Sequence, residues 1–76
     1  MTVAEFIERY KLVKSACGHH SIVPKNTDMI GYEVLDIESI AYDCAYPDKP
    51  ISEIAKIHNI PFTFTRRIME RMFTKI

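Results

Sequence analysis

Between Ser52 and Met72 two stretches of helical periodicity are separated by only Asn59, Ile60 and Pro61. That gap holds a tight turn and nothing longer, so two short helices must meet there at a steep angle. Ser52 reads as the N-cap of a helix over Glu53–His58, in which Ile54, Ala55 and Ile57 are apolar. Ala55 is small enough for the next helix to cross closely. Asn59 is one of the few side chains that tolerates a left-handed turn position. Ile60 plugs the angle, and Pro61 suits the first turn of a following helix over Phe62–Ile76. The inner face of that helix would be Thr65, Ile68, Met69, Met72 and Ile76, with Phe64 beside them. Its outer face would be Thr63, Arg66, Arg67, Glu70 and Thr74.

Upstream, Thr2 and Glu5 form a capping box. Val3, Phe6, Ile7, Tyr10, Val13 and Cys17 then recur at three- and four-residue spacing, which predicts a first helix running to a C′ glycine at Gly18. Glu5 and Arg9 form an i, i+4 pair on its wet side. Residues 19–29 read as a connection, with His19 and His20 as loop residues at the helix end. Residues 30–35 stay ambiguous: Ile30, Tyr32 and Val34 alternate as in a strand, yet Ile30, Val34, Ile37, Ala41 and Cys44 share a helical face. A helix capped by Asp36 is expected to Tyr46, stopped by the prolines at 47 and 50. The fold expected from this pattern is all-α, with one short strand at 30–35 as the open alternative. It is a single domain over 1–76 of about four helices, with an N-terminal helix and connection over 1–35 and a helical core over 36–76.

Charge is balanced over the whole chain but unevenly placed. Residues 1–49 carry five Lys or Arg against eight acids, and residues 50–76 carry five against two. A local basic patch can face a polyanion while the rest stays acidic. With 76 residues the chain buries only about 60% of its unfolded surface, so a deep catalytic cavity is not expected. No apolar run approaches the roughly 20 residues of a membrane span. The acids in the opening MTVAEFIERYK speak against a secretory leader. The two cysteines, Cys17 and Cys44, are read as free thiols of a reducing, cytoplasmic compartment, each on the core face of a helix.

The segment SEIAKIHNIPFTFTRRIMERM follows the helix-turn-helix plan, and it resembles the helix-turn-helix of winged-helix bacterial transcription regulators of the IclR and IscR kinds. The similar stretch of those proteins has Glu-Ile-Ala, a turn residue four places after the Ala, then Ile-Pro or Ile-Ser. The preceding SIAYDCAYPDKPIS is similar to their lead-in helix and proline-containing connection. The resemblance covers Asp36–Met72, about half the chain. Two departures stand out: Thr65 occupies a position where the family places a core aliphatic residue, although Phe64 is at hand to fill the space, and no β-hairpin wing follows the second helix.

The resemblance implies a small, sequence-specific DNA-binding regulator of transcription. Phe62, Thr63, Arg66 and Arg67 would contact bases, since Arg can bond two guanine acceptors and a Phe or Thr methyl can touch thymine. Lys56, Arg71 and Lys75 would contact phosphates. The partner would be double-stranded DNA, read by a homodimer, with the stripe Val3, Phe6, Tyr10 and Val13 as dimer surface wherever the monomer core leaves it free. The alternative is a helix-turn-helix module that modulates transcription machinery or another regulator without touching DNA, through the acidic first half (Glu33, Asp36, Glu38, Asp43, Asp48). Cys17, His19, His20 and Cys44 lack the spacing of a zinc motif, so no metal and no cofactor is expected. No nucleophile elbow, phosphate loop or carboxylate pair is present, so no enzyme is expected.

Overall fold

The structure, a computed structural model, describes residues 1–28 and 30–73. Among these residues the chain runs α1 (Val3–Arg9), β1 (Tyr10–Ser15), β2 (His20–Pro24), β3 (Tyr32–Val34), α2 (Ile37–Ala45), α3 (Ile51–Ile57) and α4 (Phe62–Phe73). The three strands form one antiparallel sheet in the order β2-β1-β3. The fold is therefore α+β, and the all-α expectation is wrong.

The error lies at Arg9–Tyr10. The capping box at Thr2 and Glu5 forms as expected, and α1 starts where the sequence says it should. The backbone then turns extended at Tyr10 (φ −128°, ψ 162°) with no Gly or Pro to mark the change. Residues 10–15 fit a helical period, but non-local pairing outweighs local periodicity. As the central strand, β1 bonds β2 on one side, Leu12 opposite Ile22, and β3 on the other, Val13 opposite Val34. The expected connection at 19–29 thus contains β2. The strand reading of Tyr32 and Val34 holds in part, as β3, and Met29 lies outside the described residues.

Downstream the expectations fare better. Asp36 caps α2, accepting from the Ser39 N–H at 3.4 Å and from its hydroxyl at 2.9 Å. Helix α3 starts earlier than expected: Pro50 takes the N-cap, without a side-chain bond, and Ser52 lies inside the helix. Asn59 adopts φ 54° as its place in the turn requires. Its N–H bonds the Lys56 carbonyl at 3.2 Å, and the Ile60 N–H bonds that of Ala55 at 2.9 Å. This pair is a Schellman closure, which satisfies two helix-end carbonyls and aims the chain into α4. Ile60, the expected wedge, is buried.

One cluster makes the core. Val3 and Phe6 from α1, Leu12 from β1, Ile40, Ala41 and Cys44 from α2, Ile54 and Ala55 from α3, Ile60, and Phe64, Ile68 and Met72 from α4 are its buried members. The dimer stripe read from the sequence is not free: Val3 and Phe6 belong to this cluster and Tyr10 packs at its edge, while Val13 is buried on β1, opposite Val34 of β3. Thr65, the departure from the family pattern, is fully buried. Its hydroxyl donates to the Pro61 carbonyl at 3.0 Å, so the polar atom is satisfied within the helix, and Phe64 supplies the apolar volume. No helix among the described residues is long and apolar enough to cross a membrane.

Candidate nucleic-acid interface

Helix α4 is divided lengthwise. Phe64, Thr65, Ile68 and Met72 face inward and Thr63, Arg66, Arg67 and Glu70 are exposed, as expected; Phe62 and Arg71 are exposed too, and Thr74 and Ile76 lie outside the described residues. At 3.6 residues per turn the exposed side chains form two neighbouring stripes, one through Phe62, Arg66 and Glu70 and one through Thr63, Arg67 and Arg71.

The second stripe borders the sheet. Arg71 lies over the Tyr10 ring, 5.4 Å from its centroid, a cation–π contact that draws this guanidinium toward the end of α1. An open groove of about 1130 Å³ runs between α1, β2 and α4, lined among others by Arg9, Ser21, Arg67 and Arg71. Two carboxylates share it. Glu5 pairs with Arg9 at 3.4 Å, and Glu70 pairs with Arg66 at 3.8 Å. Both pairs are solvent-exposed and contribute little to stability. The Thr2 amide and hydroxyl and the Arg9 guanidinium hold the Glu5 carboxyl below its usual range. Arg67 has no carboxylate within ion-pair distance among the described residues, so its guanidinium is available to an incoming anion.

Arg67 also lines a second, smaller cleft of about 170 Å³, with Thr63, Phe64 and Pro61 on one side and Gly18, His19 and His20 on the other. The tip of the β1–β2 hairpin therefore lies beside the first turn of α4. It is held there by the His20 ring, 5.2 Å from that of Phe64. His20 Nδ1 donates to the Gly18 carbonyl at 2.9 Å, and its Nε2 is buried with no hydrogen-bond partner among the described residues. Inside the turn, the Ser15 hydroxyl oxygen accepts from the His19 N–H at 3.0 Å and lies 3.1 Å from Cys17 Sγ. That contact lowers the Cys17 thiol below its ordinary value.

The sequence-derived site is thus partly assembled. Phe62, Thr63, Arg66 and Arg67 share the first half of α4. Arg71 lies on the same helix but over Tyr10, and Lys56 is exposed in the last turn of α3, outside both grooves. Lys75 lies outside the described residues. The Cys17–His19–His20–Cys44 constellation is split, because Cys17 is exposed at the hairpin tip while Cys44 is buried in the core. Cys17 thus corrects the expectation that both thiols face a helical core. Among the described residues no group of three or more His, Cys, Asp or Glu is placed to hold a metal ion.

Residue-type reasoning missed the hairpin, although a signal was present. From Arg9 to Thr27 the chain has four Lys or Arg and no acid, a basic run that a count over residues 1–49 averages away. No family model matches the chain, and neither does any curated protein or any solved structure.

Proposed function

We propose that the protein binds double-stranded DNA through α4 and serves as a small, sequence-specific regulator of transcription. The observation that carries this reading is the exposed first half of α4, where Phe62, Thr63, Arg66 and Arg67 project together from a helix set by the Asn59 turn. A helix presented in this way can enter the major groove with its N-terminal side chains on base edges. Arg66 and Arg67 supply the guanine-reading chemistry, and Lys56, Arg71 and Lys75 the phosphate contacts. One such module reads few base pairs, so two copies across a two-fold axis, reading half-sites about 34 Å apart, give the specificity a regulator needs. Such a dimer must use a surface other than the α1 stripe, which the monomer core occupies. Unpaired thiols at Cys17 and Cys44 favour a cytoplasmic setting.

The test is a titration of random-sequence duplexes at about 50 and 200 mM salt, followed by selection of the bound sequences. Salt-sensitive binding that enriches an inverted repeat is the expected outcome, and Arg66→Glu with Arg67→Glu should abolish it. Absence of binding at the lower salt rejects the reading.

A second reading has its own observation. Tyr42 and Tyr46 are exposed and stacked on one another at 6.4 Å, and Glu38 lies one turn before Tyr42 on α2. Exposed tyrosines suit the centre of a protein contact, with an acidic residue at its rim to steer a basic partner. Under that reading the domain modulates a partner of the transcription machinery, and Glu38→Lys abolishes its effect while the Arg66 and Arg67 reversals spare it.

A further inference from the structure

We infer that the β1–β2 hairpin is a second nucleic-acid-contacting element, its tip seated on the phosphate backbone that flanks the groove occupied by α4. This inference rests on the DNA-binding reading above and adds a surface to it.

Placement comes first. Gly18, His19 and His20 face Thr63, Phe64 and Arg67 across one small cleft, so whatever lies against the first turn of α4 also lies against the hairpin tip. The juxtaposition is built into the packing. The His20 ring packs at a tilt against that of Phe64, which is itself a buried member of the core, so the tip is anchored to the helix rather than swinging beside it. The turn is braced internally as well, by the bond from the Ser15 N–H to the His19 carbonyl at 2.8 Å and by that from the Gly18 N–H to the Ser15 carbonyl at 3.0 Å.

Charge comes second. The hairpin contains Lys11 and Lys14, with Lys25 just beyond it, and no acid. Lys14 faces His20 on one side and Glu33 of β3 on the other, so part of its charge is offset. At the tip itself Ala16, Cys17, Gly18 and His19 are exposed and no carboxylate belongs to the turn. The larger groove continues from there, with Ser21, Arg67, Arg71 and Arg9 along it and the Glu5 and Glu70 carboxylates, paired with Arg9 and Arg66, among them. Small, uncharged or basic residues on a rigid turn suit close approach to a phosphate, a contact that adds affinity and salt sensitivity but no sequence preference.

The protein carries its own reporter for this contact. Cys17 sits exposed at the tip, whereas Cys44 is fully buried. The rate of Cys17 alkylation by iodoacetamide, a neutral reagent, is measured on the unmodified protein with and without a saturating duplex, and complex formation is followed separately by fluorescence anisotropy of labelled DNA. Protection of Cys17 by several-fold is the expected result. In parallel, His19→Glu, at an exposed position whose side chain makes no hydrogen bond or ion pair among the described residues, should weaken binding several-fold at low salt and less at high salt, because the added carboxylate repels the phosphates. It should leave the enriched sequence unchanged. A complex that forms while Cys17 reacts at its free rate overturns the inference and leaves α4 binding intact. Failure to form any complex overturns both.

Discussion

His58 Nε2 and Asp43 Oδ2 lie 2.6 Å apart, joining the C-terminal end of α3 to the last turn of α2. The histidine side chain is largely covered and the aspartate is half exposed, so the bond closes the α2–α3 corner at its outer edge. It also takes Asp43 out of the set of acids free to meet a partner. A hydrogen bond to a charged group contributes about 1.5–3 kcal/mol, less where water competes.

Asp43→Ala should therefore lower stability by about 1 kcal/mol, or roughly 4–8 °C in Tm for a domain of this size. Glu38→Ala, at an exposed position on the same helix, should leave Tm unchanged. Thermal denaturation followed by circular dichroism checks both. Equal Tm values for the two variants would mean that the His58–Asp43 contact does not persist in solution.

Asn59 offers a backbone test of the same region. Its φ of 54° lets the Schellman closure form, and a Cβ-bearing residue without a polar side chain pays about 1–2 kcal/mol there. Asn59→Ala should destabilise by that amount, whereas Asn59→Gly should stay within a few tenths of a kcal/mol by trading side-chain strain for chain entropy. Urea midpoints separate the two. If both variants behaved like wild type, the turn would not hold this conformation.

The contrast between the two halves of the chain shows what sequence reading can reach. Asp36, Pro50, Asn59 and Ile60 act through bonds to residues a few places away, and Pro47 through its own ring just past the α2 C-cap, so their roles in α2, α3 and the turn are legible locally. Tyr10–Ser15 is different. Its strand state depends on residues 20–24 and 32–34, and the boundary at Arg9–Tyr10 carries no breaker residue. The candidate site divides in the same way. Thr63, Arg66 and Arg67 follow from the helical period of α4, but His19 beside Thr63 follows only from packing. Only the acid-free run from Arg9 to Thr27 hinted at it.

Glu70 lies within the basic face of α4 and pairs with Arg66 at 3.8 Å. A nucleic acid would have to displace that pairing and accept a carboxylate nearby. Under the DNA-binding reading, Glu70→Gln should raise duplex affinity by about 0.5–1 kcal/mol, roughly two- to fivefold, at low salt. Arg67→Ala should cost about 1–3 kcal/mol in the same titration if it reads a base. A Glu70→Gln variant that bound more weakly would place the nucleic acid on another surface.

Cys44 gives a stability prediction with a definite pH window. Burial in the core pushes its thiol up from an ordinary 9.0 to about 11, and the neighbouring Asp43 carboxylate adds to the shift. In the unfolded chain the thiol loses its proton near 9, so between about pH 9 and 11 the folded state binds more protons than the unfolded one. The contribution is therefore fully present below about pH 9 and is lost as pH rises through about 11. Urea midpoints measured across this window should fall more steeply for wild type than for Cys44→Ala, even though the variant starts from a lower stability because it leaves a small cavity. Below the window, a thiol reagent should modify Cys17 rapidly in the native protein and reach Cys44 only after denaturant is added. Parallel pH profiles for the two proteins, or two fast-reacting thiols in the native state, would show that α2 does not hold Cys44 in the core.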